Sequence, residues 1–195
     1  VLLSDVAGSG SLRSTKVYGS IAYHQQLGSS SLVSAGFNIG WANKRIDLSK
    51  LKFPDQFDGK FFDNPVTAVS LTNTSVSYVD VQAGMNYAYF PTDNIYMHAG
   101  VSIHHVNRPR ETFFSEKPDY DNRLAMRYIA FIDGVIKLND QFILTPAAYF
   151  STQAKATELA LGLHANYNLT GDGEQQLIAG MYYRAGDAFI PMVGY

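Results

Sequence analysis

The chain has 195 residues, with 15 Lys and Arg against 17 Asp and Glu, a formal net charge of -2, and 16% charged against 46% hydrophobic residues. That charge content is low for a soluble domain, yet a mean hydropathy of -0.09 and the lack of any apolar run near ~20 residues exclude a helical membrane protein. The balanced charge excludes a basic nucleic-acid-binding face, and the absence of cysteine excludes disulfides, thiolate zinc sites and cysteine nucleophiles.

In chain order, Val1 to Asp5 offers no basic segment, apolar core or cleavage site, so no targeting peptide is visible. Alternation with a period of two then covers Val17 to Tyr23 and Val33 to Trp41. From Val79, the residues Val79, Val81, Ala83, Met85, Tyr87 and Tyr89 share one strand face, and Asp80, Gln82, Gly84, Asn86 and Ala88 share the other. Pro91 to Asn94 reads as a turn. The pattern restarts with Ile95, Met97, Ala99, Val101 and Ile103 against Tyr96, His98, Gly100, Ser102 and His104. Leu124 to Leu138 fits less cleanly, because Ile129, Phe131 and Val135 fall on the face that carries Arg127 and Asp133. Phe142 to Phe150 alternates again, with Pro146 mid-strand removing a ladder donor, so a bulge or weakened pairing is expected there. Leu159 to Leu169 and Leu177 to Tyr183 complete the series. About ten strands result, most near ten residues or longer, the length a tilted strand needs to cross a bilayer.

Alternation alone does not say whether the apolar face meets a core or lipid. A soluble sandwich would place Lys, Glu and Arg on the other face. Here that face carries Gly, Ala, Ser, Asn, Gln and His, with charges only at Asp80, Arg127, Asp133 and Glu158. Short turns at Gly28 to Ser30, Pro91 to Asn94, Asn139-Asp140 and Thr170 to Glu174 fall on one side of an up-and-down meander. Ala7 to Arg13, Ile46 to Ser77, Asn107 to Arg123 and Ala154 to Ala156 fall on the other. This asymmetry is that of outer-membrane barrels. Tyr23, Tyr87, Tyr89 and Tyr96 sit near the short turns, where an interfacial aromatic girdle belongs; aromatics packing a soluble β core are the plainer alternative. The reading is all-β: an antiparallel up-and-down transmembrane barrel, with Val81, Met85, Val101, Leu161 and Leu163 facing lipid.

Motifs with chemical potential are few. His104-His105 point to opposite strand faces and cannot chelate one ion together. His98 and His104 share a face but stand roughly 20 Å apart at about 3.3 Å per residue. Ser102 and His104 share a face two residues apart, as on barrel lipases, but a third group and an oxyanion donor are required, and no G-x-S-x-G elbow is present. Asp119, Asp121 and Asn122 lack the glycine and distal glutamate of an EF-hand. Gly8-Ser9-Gly10-Ser11 lacks a phosphate-loop lysine. No catalytic residue, metal site or cofactor is expected.

The segment Ile46 to Gly59, containing Asp47, Ser49, Leu51, Phe53, Asp55 and Gln56, resembles a "D-x-S-x-L-x-F-x-D-Q" stretch of the PorP/SprF family of the Bacteroidetes type IX secretion system. Asp80 to Gly84 resembles its "D-x-x-x-G" strand, and His105-Val106-Asn107-Arg108-Pro109 resembles its "H-x-N-x-P" strand end, followed by the loop Glu111 to Phe114. Gly180 to Arg184 and Asp187 to Tyr195 resemble "G-x-x-Y-R…D-A-x-I-P-x-x-G". These motifs are collinear over nearly the whole chain. The resemblance implies a non-enzymatic outer-membrane barrel supporting type IX export or surface anchoring, gliding adhesins included. It implies partners among secreted proteins with a type IX C-terminal domain, other secretion subunits and outer-membrane lipid. Family members are longer at both ends, so residues 1–195 would be one barrel domain truncated at each. A passive channel of the porin or fatty-acid-transporter type is the alternative. Partner contact is expected in the long loops, through Phe53, Phe57, Phe61, Phe62, Arg108, Arg110, Phe113, Phe114 and Tyr120; the same aromatics could instead fold inward as a plug.

Overall fold

The computed structural model describes residues 1–8, 12–47, 50–51, 56–57, 59–61, 74–113, 122–170 and 175–195. Among these, ten strands form one sheet: β1 (Leu2–Ala7), β2 (Leu12–Gln26), β3 (Ser31–Arg45), β4 (Ser75–Thr92), β5 (Ile95–His104), β6 (Arg127–Lys137), β7 (Phe142–Gln153), β8 (Ala156–Asn168), β9 (Gln176–Arg184) and β10 (Ala188–Gly194). Their spatial order is their chain order, so this is an up-and-down antiparallel meander, and the sheet is not closed, since β1 and β10 are not neighbours. No described residue lies in an α-helix.

The chain divides into two compact units. The first comprises Val1–Ser20, Asn38–Val81 and Asn107–Leu124: β1, the start of β2, the end of β3, the start of β4 and part of the β5–β6 connection. The second comprises Ile21–Phe37, Gln82–Val106 and Ala125–Tyr195, with β5 to β10 whole.

The register confirms the two faces. Met85 pairs with Val101 and Tyr87 with Ala99; Val101 pairs with Ala130 and Ala99 with Ile132; Ala148 pairs with Leu161, which pairs with Tyr183. These residues form one continuous apolar surface. Met85 is 59% exposed, Val101 58%, Leu161 45% and Leu163 50%. Among the described residues the buried hydrophobic side chains are Ala42, Tyr78 and Ala88 alone. Among the described residues no second layer covers the apolar face, and water does not tolerate so large a contiguous patch on a soluble monomer.

The polar face is tight by contrast. Three of its glycines lie under aromatic rings from the adjacent strand: Gly40 under Tyr18, Gly100 under Phe131 and Gly162 under Tyr182, so that a Cβ at any of them would collide with the ring. This accounts for the irregular alternation of β6. Phe131 faces the polar side because Gly100 stands opposite it and leaves room for its ring.

Three particulars differ in detail from the sequence reading, and a fourth, at Pro146, agrees with it. Tyr96, grouped with the girdle by its nearness to a short turn, stands on the face opposite to Tyr87 and Tyr89, as its parity reads; it pairs with Val135 and stacks on Phe90 at 6.4 Å between ring centroids. Leu124 belongs to the connection before β6, its N–H donating to Pro109 O at 2.8 Å. The 154–156 connection closes tightly, with Ala154 at φ 54°, a conformation that no glycine announces in the sequence. At Pro146 the pairing is weakened without a bulge. Asp133 pairs with Ala147 and Ile136 with Leu144, in unchanged register, while the two rungs between are missing. Pro146 keeps its pairing with Leu163 on β8, so the missing donor falls on the β6 side.

Candidate functional site

The structure places a network of polar side chains at the long-connection end of the first unit. Lys44, near the end of β3, and Tyr78, near the start of β4, both fall on the polar face by strand parity. Glu111, in the β5–β6 connection, reaches them both. Its Oε1 meets the ammonium of Lys44, and its Oε2 accepts the Tyr78 O–H at 2.6 Å. Partial burial alone would raise the Glu111 carboxyl. The hydrogen bonds from Lys44 and Tyr78 to the ionised form, with the charges of Lys44 and Lys16, outweigh it and hold the group below the usual carboxylate range.

The chain arrives at this point through two further devices. The Asn107 carboxamide acts on β4 as a neighbouring strand would, donating to Val79 O at 2.7 Å and accepting from Val81 N at 3.2 Å. Arg108 then takes a positive φ of 43° and Pro109 is buried. Beyond it, Glu111 N–H donates to Asn122 O at 3.1 Å, beside an isolated antiparallel bridge between Arg110 and Arg123. Below this, Asp80 is fully buried and accepts the Tyr18 O–H at 2.9 Å. That bond locks the Tyr18 ring over Gly40.

In the second unit the polar face carries separate pairs. His98 Nε2 lies 2.8 Å from Asp133 Oδ1. Arg127 donates to Ser151 Oγ and to Tyr149 OH, each at 2.9 Å. Ser102 Oγ and His104 Nε2 are 3.3 Å apart. Opposite His104 stands Arg127, and opposite Ser102 stands Ile129, so the partner strand offers a cation where a triad places a carboxylate. No group of three potential metal ligands occurs among the described residues.

Of the residues expected to contact a partner, Phe57 and Phe61 are 49% and 62% exposed. Arg108 and Arg110 are exposed and Phe113 is half-buried. Phe53, Phe62, Phe114 and Tyr120 lie outside the described residues, as do Asp119 and Asp121. Sequence reasoning missed Lys44, Tyr78 and Glu111. Parity marks the first two as polar-facing, but nothing in the sequence joins Lys44 to a residue 67 positions away.

A charge-poor meander whose apolar face is bare and whose polar face is locked by hydrogen bonds defines a membrane protein of the transmembrane β-strand class. The chain matches, over residues 1–195, the family model described as type IX secretion system membrane protein PorP/SprF, and it belongs to that family. No curated protein matches it. The family is a secretion-system membrane component. The motif residues Asp80 and Asn107 are the ones that lock Tyr18 and clasp β4. Arg184 and Asp187, 2.5 Å apart, clamp the β9–β10 turn.

Proposed function

We propose that this protein is an outer-membrane β-barrel without enzymatic activity that supports type IX export, or holds exported proteins at the cell surface, by contacts made through its long connections. The observation that carries this reading is the whole-length family match joined to the uncovered apolar face. The open edges of β1 and β10 would each expose unpaired backbone groups to hydrocarbon, which is costly. We therefore place these strands within a larger barrel whose further strands pair with both edges.

The partners are exported proteins bearing a type IX C-terminal domain, gliding adhesins among them, together with other secretion subunits. The contact surface is Phe53 to Ser77 and Arg108 to Asn122, where exposed Phe57 and Phe61 and the cations Arg108 and Arg110 supply aromatic anchors and a charged rim. Glu111 pins the base of the second connection to the polar face, so this reading keeps the anchors on the parts beyond that pin. Copurification from cells tests it. Replacing Phe113 and Phe114 with Ser, or Phe57 and Phe61 with Ser, should release the bound exported protein while barrel abundance stays normal. Retained partner with a less stable barrel would identify the aromatics as a plug. A large single-channel conductance with no copurifying partner would favour the passive channel.

A further inference from the structure

The outward face of β4 to β6 carries a depression near the Asp93-Asn94 turn. The register sets Tyr87 opposite Ala99 and Ala99 opposite Ile132; one row nearer the turn it sets Tyr89 opposite Met97 and Met97 opposite Gly134. Each row therefore starts from a tyrosine and drops to a small residue, Ala99 in one and Gly134 in the other. The rows border a concave space of about 280 Å³ lined by Tyr87, Tyr89, Met97, His98, Ala99 and Ile132. The Tyr87 hydroxyl is 3.0 Å from Ser31 Oγ, which fixes that ring as one wall.

Three features say what fills it. The walls are almost wholly apolar, so water entering would find too few partners. Tyr89 is three residues from the turn, so at about 3.3 Å per residue the groove lies within roughly 10 Å of the strand ends, the depth at which tyrosines mark the boundary between headgroups and hydrocarbon. At those ends both signs of charge meet. Asp93 is exposed, and Lys137, tied to the turn by its backbone N–H donating to Asn94 O at 2.8 Å, holds its ammonium 2.8 Å from the exposed Asp140 carboxylate.

We infer that this groove binds one acyl chain of a phospholipid with an amine-bearing zwitterionic headgroup. The chain lies over Ala99 and Gly134, and the headgroup sits level with Asp93 and Lys137. The inference rests on the outward face meeting lipid, as proposed above. The barrel is placed in vesicles of phosphatidylethanolamine and phosphatidylglycerol, either lipid carrying a photoreactive diazirine at mid-chain. The phosphatidylethanolamine probe should label peptides of β5 and β6 several-fold above those around Leu161 and Leu163. Ala99→Phe, which fills the floor, should bring that labelling down to the level elsewhere on the face. Even labelling of the inserted wild-type protein overturns the groove, whether or not the variant folds. Equal labelling by the phosphatidylglycerol probe overturns the amine-bearing headgroup. A protein that stays monodisperse without detergent removes the membrane reading, and this inference with it.

Discussion

Two lysine–carboxylate pairs, one in each unit, share their chemistry and differ in everything else. Lys137 and Asp140 are three residues apart, 2.8 Å from contact to contact, with the carboxylate side chain 88% exposed. Lys44 and Glu111 come from β3 and from the β5–β6 connection, and their side chains are only 24% and 21% exposed. In both, the lysine holds the carboxyl below its ordinary range. The turn pair is formed by neighbours that would meet in almost any conformation, and water screens it. The other pair forms only when the connection is folded back, and it is joined by Tyr78. Equal pairing chemistry therefore carries unequal structural information; what matters is how much chain must be ordered to make the contact.

The sharpest way to break this comparison is to place a charge where neither partner nor water exists. Leu163→Arg, on the apolar face, should cost about 2–4 kcal/mol near the bilayer midplane, measured by reversible unfolding in lipid. An unchanged midpoint would remove the lipid-facing assignment. Asp80→Ala should come next. It strands the Tyr18 hydroxyl without its buried acceptor, at a cost on the order of 1–3 kcal/mol, and Tyr18→Phe should also destabilise, because it takes a donor from the fully buried Asp80 carboxylate.

Glu111→Gln should leave the strands folded and loosen the connection, read as faster hydrogen exchange or proteolysis between Val106 and Asn122. The same release should follow from acid. A carboxyl held below its unfolded value, near ~4.3, stabilises the folded connection above that pH and loses the contribution as pH falls through the lower folded value. Exchange in this connection should therefore rise below about pH 4 and be flat between neutral and mildly acid pH. Asp140→Asn is the control and the smallest effect, with no detectable change in stability or exchange beyond its own turn. A change as large as that of Glu111→Gln would show that local pairs matter as much as long-range ones.

How much of this was legible in the sequence follows the same division. Strand faces were legible because a period of two requires only neighbouring residues; Val101, Leu161 and Leu163 fell where parity put them. The faint strands were β1, with six residues at an edge, and β6, where Phe131 obeys Gly100 on another strand rather than its own sequence neighbours. The Ala154 turn was hidden because its positive φ is taken by alanine. The candidate site was less legible still. Asp80 and Asn107 stood out within family-like motifs, but their partners Tyr18 and the Val79 and Val81 backbone lie 62, 28 and 26 residues away. Register, which no local pattern contains, brings them together.

The two missing rungs at Pro146 give the sheet an unequal fabric. Every strand pair near them is stitched without interruption from β7 to β9, whereas β6 and β7 are joined above and below a gap. Within β6 to β9 the β6–β7 seam is thus the one whose ladder is broken, and an imino acid on the lipid-facing side, rather than any loop, sets the position of the break.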